Sequence, residues 1–106
     1  MELMEILKDI SAGILITDPD FKIIWANQFE TDFYRMSLDQ MKGLWVVDCH
    51  KEENKEKIKS FLADFKTGEM KEFTKTANGM IITYSSYQKD GQFGGIVRTR
   101  IRLPKN

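Results

Sequence analysis

The chain has one cysteine, one histidine and two prolines in 106 residues. A lone cysteine, Cys49, excludes an internal disulfide and fits a reducing compartment. A lone histidine, His50, excludes a histidine-rich metal cluster. Charge of one sign is not in excess, because 16 basic residues balance 16 acidic ones. That removes the bulk electrostatic case for nucleic acid or an anionic membrane as partner. No apolar run approaches bilayer-spanning length, and the opening Met1-Glu-Leu-Met-Glu lacks the pattern of a secretion signal. These absences point to the cytoplasm. Enzyme signatures are missing as well. Gly91, Gly94 and Gly95 precede no helix and form no phosphate loop, no serine-nucleophile motif occurs, and the chain reads as a non-enzyme.

What is present suits one globular domain. An apolar share of 42% at this length supports a core without disulfide or structural metal. Leu3, Leu7 and Ile10 recur at helical spacing, so residues 1–12 form a short amphipathic N-terminal helix that Gly13 ends, and residues 13–104 form the domain proper. Strands are predicted over 14–17 and 22–26, joined by an Asp18-Pro19-Asp20 turn. Asn27 caps a helix through Tyr34, Ser37 starts a further helical turn, and Gly43 stops it. Over 51–66, Ile58, Phe61, Leu62 and Phe65 fall on one helical face, Glu53 pairs with Lys57, and Gly68 ends the helix. Strands then follow over 70–76, 80–88 and 93–103, with Asn78-Gly79 as a strong hairpin signal. This order predicts an α+β domain, with helices packed on one face of a five-stranded antiparallel sheet.

Parity in the last strand puts Phe93, Val97, Thr99, Ile101 and Leu103 on one face, opposite Arg98, Arg100 and Arg102. The arginine stripe reads most simply as a solvent-facing strand, with an acidic partner or haem propionates as the functional alternative. The early strands are apolar on both faces, so the sheet needs cover on both. The N-terminal helix folded back, or the second subunit of a homodimer, supplies the second cover.

The stretch Ile14-Leu-Ile-Thr-Asp-Pro-Asp-Phe-Lys-Ile-Ile-Trp-Ala-Asn27, then Ser37-Leu-Asp-Gln-Met-Lys-Gly43 and Lys66-Thr-Gly-Glu69, resembles in order and spacing a PAS domain. The resemblance covers nearly the whole chain. It implies a sensory, signal-transducing domain with a ligand pocket between sheet and helices. It also implies an output domain in a longer protein, such as a histidine kinase, a cyclase or a DNA-binding transcription regulator. One departure concerns output: many PAS domains end in an Asp-containing relay motif, where this chain has Arg100-Ile-Arg-Leu-Pro104.

Within Val47-Asp-Cys-His-Lys-Glu-Glu-Asn-Lys-Glu-Lys-Ile-Lys-Ser-Phe-Leu62, the histidine opening the long helix resembles haem-binding PAS domains of carbon-monoxide-responsive regulators. That likeness implies haem, with His50 as one iron ligand and a methionine, Met70 or Met80, as the other. Met80 stands as the candidate metal ligand beside His50. A helix N-terminus favours the neutral ring that ligates iron, and Trp45, Ile58, Phe61, Leu62 and Phe65 supply an apolar wall. Each residue has a plainer reading: a half-exposed helix-start histidine, gap-filling methionines and ordinary core aromatics. Phe29, Phe33, Tyr34, Tyr84 and Tyr87 divide in the same way between pocket lining and core, and Cys49 reads as a small buried hydrophobe. The alternatives to haem are a cofactor-free module for dimerisation or protein docking, and a pocket for a small organic metabolite.

Overall fold

The computed structural model of the protein describes residues 2–104; Met1, part of the expected N-terminal segment, and residues 105–106 lie outside the described residues. The sheet is assembled from two separate pieces of chain. Strands β1 (Gly13–Thr17) and β2 (Ile23–Ala26) form the first, and β3 (Glu72–Ala77), β4 (Met80–Lys89) and β5 (Gln92–Arg102) the second. The order across the sheet is β2-β1-β5-β4-β3, and every pair is antiparallel. The last strand thus lies in the middle, so both pieces share one layer.

Local chemistry explains the turns. Asp18 Oδ1 accepts the amides of Asp20 and Lys22 at 2.9 and 3.0 Å, which closes the first hairpin. Asn78 and Gly79 have φ of 53° and 74°, the two positive angles of a hairpin turn that matches strand twist. The helices follow the expected signals too. Asn27 caps α2 (Gln28–Tyr34), and a Ser37–Gln40 capping box opens α3 (Leu38–Met41). The long helix α4 (Lys55–Thr67) ends at Gly68 and buries Leu62 and Phe65.

Three expectations are corrected. The long helix begins at Lys55, not at residue 51, because two 3-10 turns, Val46–Cys49 and Glu52–Asn54, come first. Glu53 therefore lies outside the helix. Lys55 pairs instead with Glu52 and Asp48 at 3.0 and 3.3 Å. Gly13 does not end the N-terminal helix α1 (Leu3–Leu7) but opens β1. A Cβ there would meet Glu30 Oε2 at 2.6 Å and Phe29 Cδ1 at 2.9 Å, so close approach selects glycine. Parity in β5 breaks at a bulge, where Tyr87 faces Gly95 but Gln88 faces Phe93. Phe93 consequently lies on the core side, with its ring 5.7 Å from that of Phe21.

The faces of the sheet also differ from the simplest reading. Leu15, Ile82, Tyr84, Ile96, Arg98 and Arg100 are buried on the helix-covered side, with Arg98 1% exposed. The opposite side keeps Ile101 half exposed and Leu103 40% exposed. The helix α1 buries no residue. Met4 and Lys8 of this segment line a hollow together with Trp25 and Ala26 of β2.

Candidate functional site

The arginine stripe of β5 points inward, the reverse of a solvent-facing strand, and meets α2. Glu30 and Tyr34 stand one helical turn apart on α2 and so project together. Arg98 Nη2 donates to Glu30 Oε1 at 2.9 Å and to the Tyr34 hydroxyl at 2.7 Å. Arg100 Nη2 donates to the same hydroxyl at 2.8 Å. Its Nε lies 3.0 Å from Glu30 Oε2, but the N–H is directed at Oε1, 3.3 Å away. The Arg100 and Arg102 guanidiniums also stack over Phe33 and Phe29, at 4.0 and 4.6 Å from the ring centres. Glu30 is fully buried.

Burial would depress Arg98, but Tyr34, Glu30 and Tyr84 around it outweigh that and raise its pKa above the ordinary guanidinium value. Burial raises the Tyr34 phenol while the two arginines oppose the shift, so it stays neutral at physiological pH. Burial raises the pKa of the Cys49 thiol too.

The network continues through the α2 cap. Asn27 Oδ1 accepts from the Glu30 amide at 3.4 Å and from Ile14 N at 3.0 Å. Asn27 Nδ2 donates to the carbonyls of Ala12 and Leu7 at 2.7 and 3.0 Å. One buried asparagine thus joins α2, β1 and the end of α1.

Comparison with known proteins gives fold rather than ancestry. No family model matches the chain, and no curated protein matches it. Solved structures do. The PAS domain of BvgS from Bordetella pertussis superposes with a TM-score of 0.76 at 16% identity, over 97% of this chain and 85% of that one. A PAS domain from Colwellia psychrerythraea gives 0.74 at 18% identity, over 96% and 94%. A sensory box sensor histidine kinase from Vibrio cholerae gives 0.67 at 14%, over 97% and 90%.

The chain has the PAS fold.

Within this PAS fold the haem candidates are scattered. His50 does not open a helix. It follows the Val46–Cys49 turn in extended backbone, so no helix N-terminus acts on it. Its pKa is lowered chiefly by burial, opposed by a hydrogen bond to Val46 and lowered further by Arg98, Lys75 and Arg100. Its Nδ1 donates to the Val46 carbonyl oxygen at 3.2 Å, an arrangement that leaves Nε2 as a ligand atom. The donor chemistry therefore suits haem iron, but the space does not. The Phe61 ring stands edge-on to Phe65, Phe73 and Tyr84, with centres 5.0–5.1 Å apart. Leu62, Phe65 and Arg98 are buried, and Ile58 packs against the core cluster. Trp45 lines a 260 Å³ hollow with Lys59 and Leu62, whereas Met80 lines a separate one beside Phe29 and Arg102; neither includes His50. Met70 sits in the turn before β3, its amide bonded to Asp64. As packed, these residues do not fit a porphyrin.

The PAS-fold interior thus keeps the expected apolar wall on α4 and adds an ionic cluster toward α2. Glu30 is the residue that sequence reasoning missed; Arg98 and Arg100 were singled out, but on the solvent side rather than facing it. The available signal was on α2: Phe29/Phe33 and Glu30/Tyr34 repeat at four-residue spacing. A carboxylate inside an aromatic helix face needs a cation from the strand it covers.

Proposed function

We propose that this chain is a sensory signal-transduction module that passes changes in its interior to the N-terminal helix and to a homodimer interface. The observation that carries this reading is the continuous bonded path from Arg98 and Arg100 through Glu30 and Asn27 to the Leu7 carbonyl of α1. A shift in the central strand alters Glu30, Glu30 moves the start of α2, and Asn27 carries that movement to α1. Ile101 and Leu103 on the outer sheet face, with Leu3 and Ile6 of α1, supply the apolar surface for a second copy. The sensor histidine kinase among the similar structures supports an attached output domain, and the lone unpaired cysteine supports a reducing, cytoplasmic setting.

Sedimentation tests the dimer. The intact chain sediments as a dimer, and both removal of residues 1–8 and Ile101→Glu shift it to monomer. A monomer in all three samples would end this reading. The cofactor is tested by adding haem. The packed interior predicts an unchanged free-haem spectrum, and a sharp Soret band lost in His50→Ala would establish a haem sensor instead.

A further inference from the structure

The two edges of the sheet are closed to different degrees. The β2 edge is covered: Ile23 N donates to the Leu44 carbonyl and Gly43 N to that of Ile23, each at 2.8 Å, and Val46 N donates to Phe21 O at 2.9 Å. The β3 edge is bare. Lys71 O accepts from Ser86 N at 3.0 Å, and the register continues with Phe73 opposite Tyr84, Lys75 opposite Ile82 and Ala77 opposite Met80. Bonding alternates along an antiparallel pair. Phe73, Lys75 and Ala77 therefore direct their backbone groups at β4, and the amides and carbonyls of Glu72, Thr74 and Thr76 point outward. Among the described residues, no backbone group outside the sheet ladder bonds to those three. Unpaired groups in such a row accept an added strand.

Side chains along this edge define the strand that fits it. Lys71, Phe73 and Lys75 share the helix-covered side of the sheet, and all three are exposed, Phe73 at 39%. The Phe73 ring meets Phe61 edge-on at 5.1 Å, which anchors it and leaves the rest of its surface in solvent. Among the described residues, neither lysine forms an ion pair. A second copy of β3 is a poor occupant. Antiparallel self-pairing centred on Thr74, or on either neighbour, sets Lys75 of one copy opposite or diagonal to Lys71 or Lys75 of the other, and like charges there destabilise. We propose that the β3 edge captures an extended acidic segment of a partner protein as an added outermost strand, in which an apolar residue stands between carboxylates at alternate positions. The apolar side chain lies against Phe73, and the carboxylates meet Lys71 and Lys75. Toward an added strand these three residues form the non-hydrogen-bonded pairs, where side chains approach closest. Glu72, on the opposite side of the sheet, selects a neutral residue across from it.

The test titrates the intact, nitrogen-15-labelled chain with the blocked peptide acetyl-Thr-Glu-Thr-Val-Thr-Glu-Thr-amide. The amides of Glu72, Thr74 and Thr76 shift saturably and their hydrogen exchange slows, while the Ile24 amide on the far edge does not move. The same peptide with lysine in place of both glutamates produces neither effect. In the doubly substituted Lys71→Glu, Lys75→Glu chain, binding of the acidic peptide weakens by about tenfold and the lysine peptide now binds. Absence of a saturable shift in the unmodified chain overturns the proposal, whatever the variant does. So does an equal response to the lysine peptide, or a shift centred away from β3. Movement of the same amides on concentrating the chain alone identifies a second copy as the occupant and overturns the acidic partner.

Discussion

The inner face of the sheet is held in two different ways. Toward α2 it is ionic: Glu30, Arg98, Arg100 and the Tyr34 hydroxyl interlock below the protein surface. Toward α4 it is aromatic: Phe61 meets Phe65, Phe73 and Tyr84 edge to face. The aromatic half tolerates small shifts, because dispersion and apolar burial depend weakly on direction. The ionic half does not. Its charges are stable only while each faces its partner, since a buried charge without one loses its water and gains nothing. The first half supplies stability and the second supplies a defined position, which a module that transmits movement requires.

The sharpest way to break this contrast is Glu30→Ala. It strands two buried guanidiniums, and the expected loss is about 3–5 kcal/mol in denaturant unfolding. Replacing Glu30, Arg98 and Arg100 together by apolar residues of similar volume recovers most of that loss, because no orphaned charge remains. If the triple variant is no better than Glu30→Ala, the ionic account of this half fails. In the aromatic half, Phe61→Ala removes the ring that touches three others. Partial exposure places its expected loss at about 3 kcal/mol, the low end for such truncations. A loss under about 1 kcal/mol would mean that this half carries little of the packing.

Asn27→Ala sits where the ionic half meets α1. It removes the α2 cap, at about 1–2 kcal/mol, together with the side-chain bonds to Leu7, Ala12 and Ile14. Hydrogen exchange of the α1 amides should rise more than that of α4, and uniform acceleration would refute a specific link. The smallest effect concerns His50. Its folded pKa is depressed mainly by burial, so the fold prefers the neutral ring. The associated stability is complete above the unfolded value of about 6.5 and is lost as pH falls through the folded value. NMR titration should give a midpoint below about 6.5, and His50→Gln should flatten the fall in stability just under that pH. A midpoint at or above the ordinary value would contradict the burial of the ring.

Much of the fold was legible along the chain. Asp18, Asn27, Ser37 and Asn78-Gly79 act through bonds or dihedral preferences within four residues of themselves, so each turn and cap appears where its residue stands. The five strands and their antiparallel class followed from those breaks. The start of the long helix was misplaced because residues 51–54 are polar, and composition alone does not separate a 3-10 turn from a first helical turn. The site was less legible still. Alternating arginines describe a strand with two faces and leave open which face is covered. The bulge at Gly94–Gly95 hides the parity link to Phe93, which would have revealed the inward side. No helix in the described residues is long and apolar enough to cross a membrane.

By itself, then, the amino-acid order determined most of the elements and their turns, because those depend on neighbours in the chain, whereas the joining of β1 to β5 in one layer is a long-range pairing. Only the tertiary structure decided that Glu30 would lie beneath Arg98 and Arg100, 68 and 70 residues away. The physical reason is range. Caps and turns are satisfied locally, whereas a buried charge is stable only with a partner that the folded chain brings from afar.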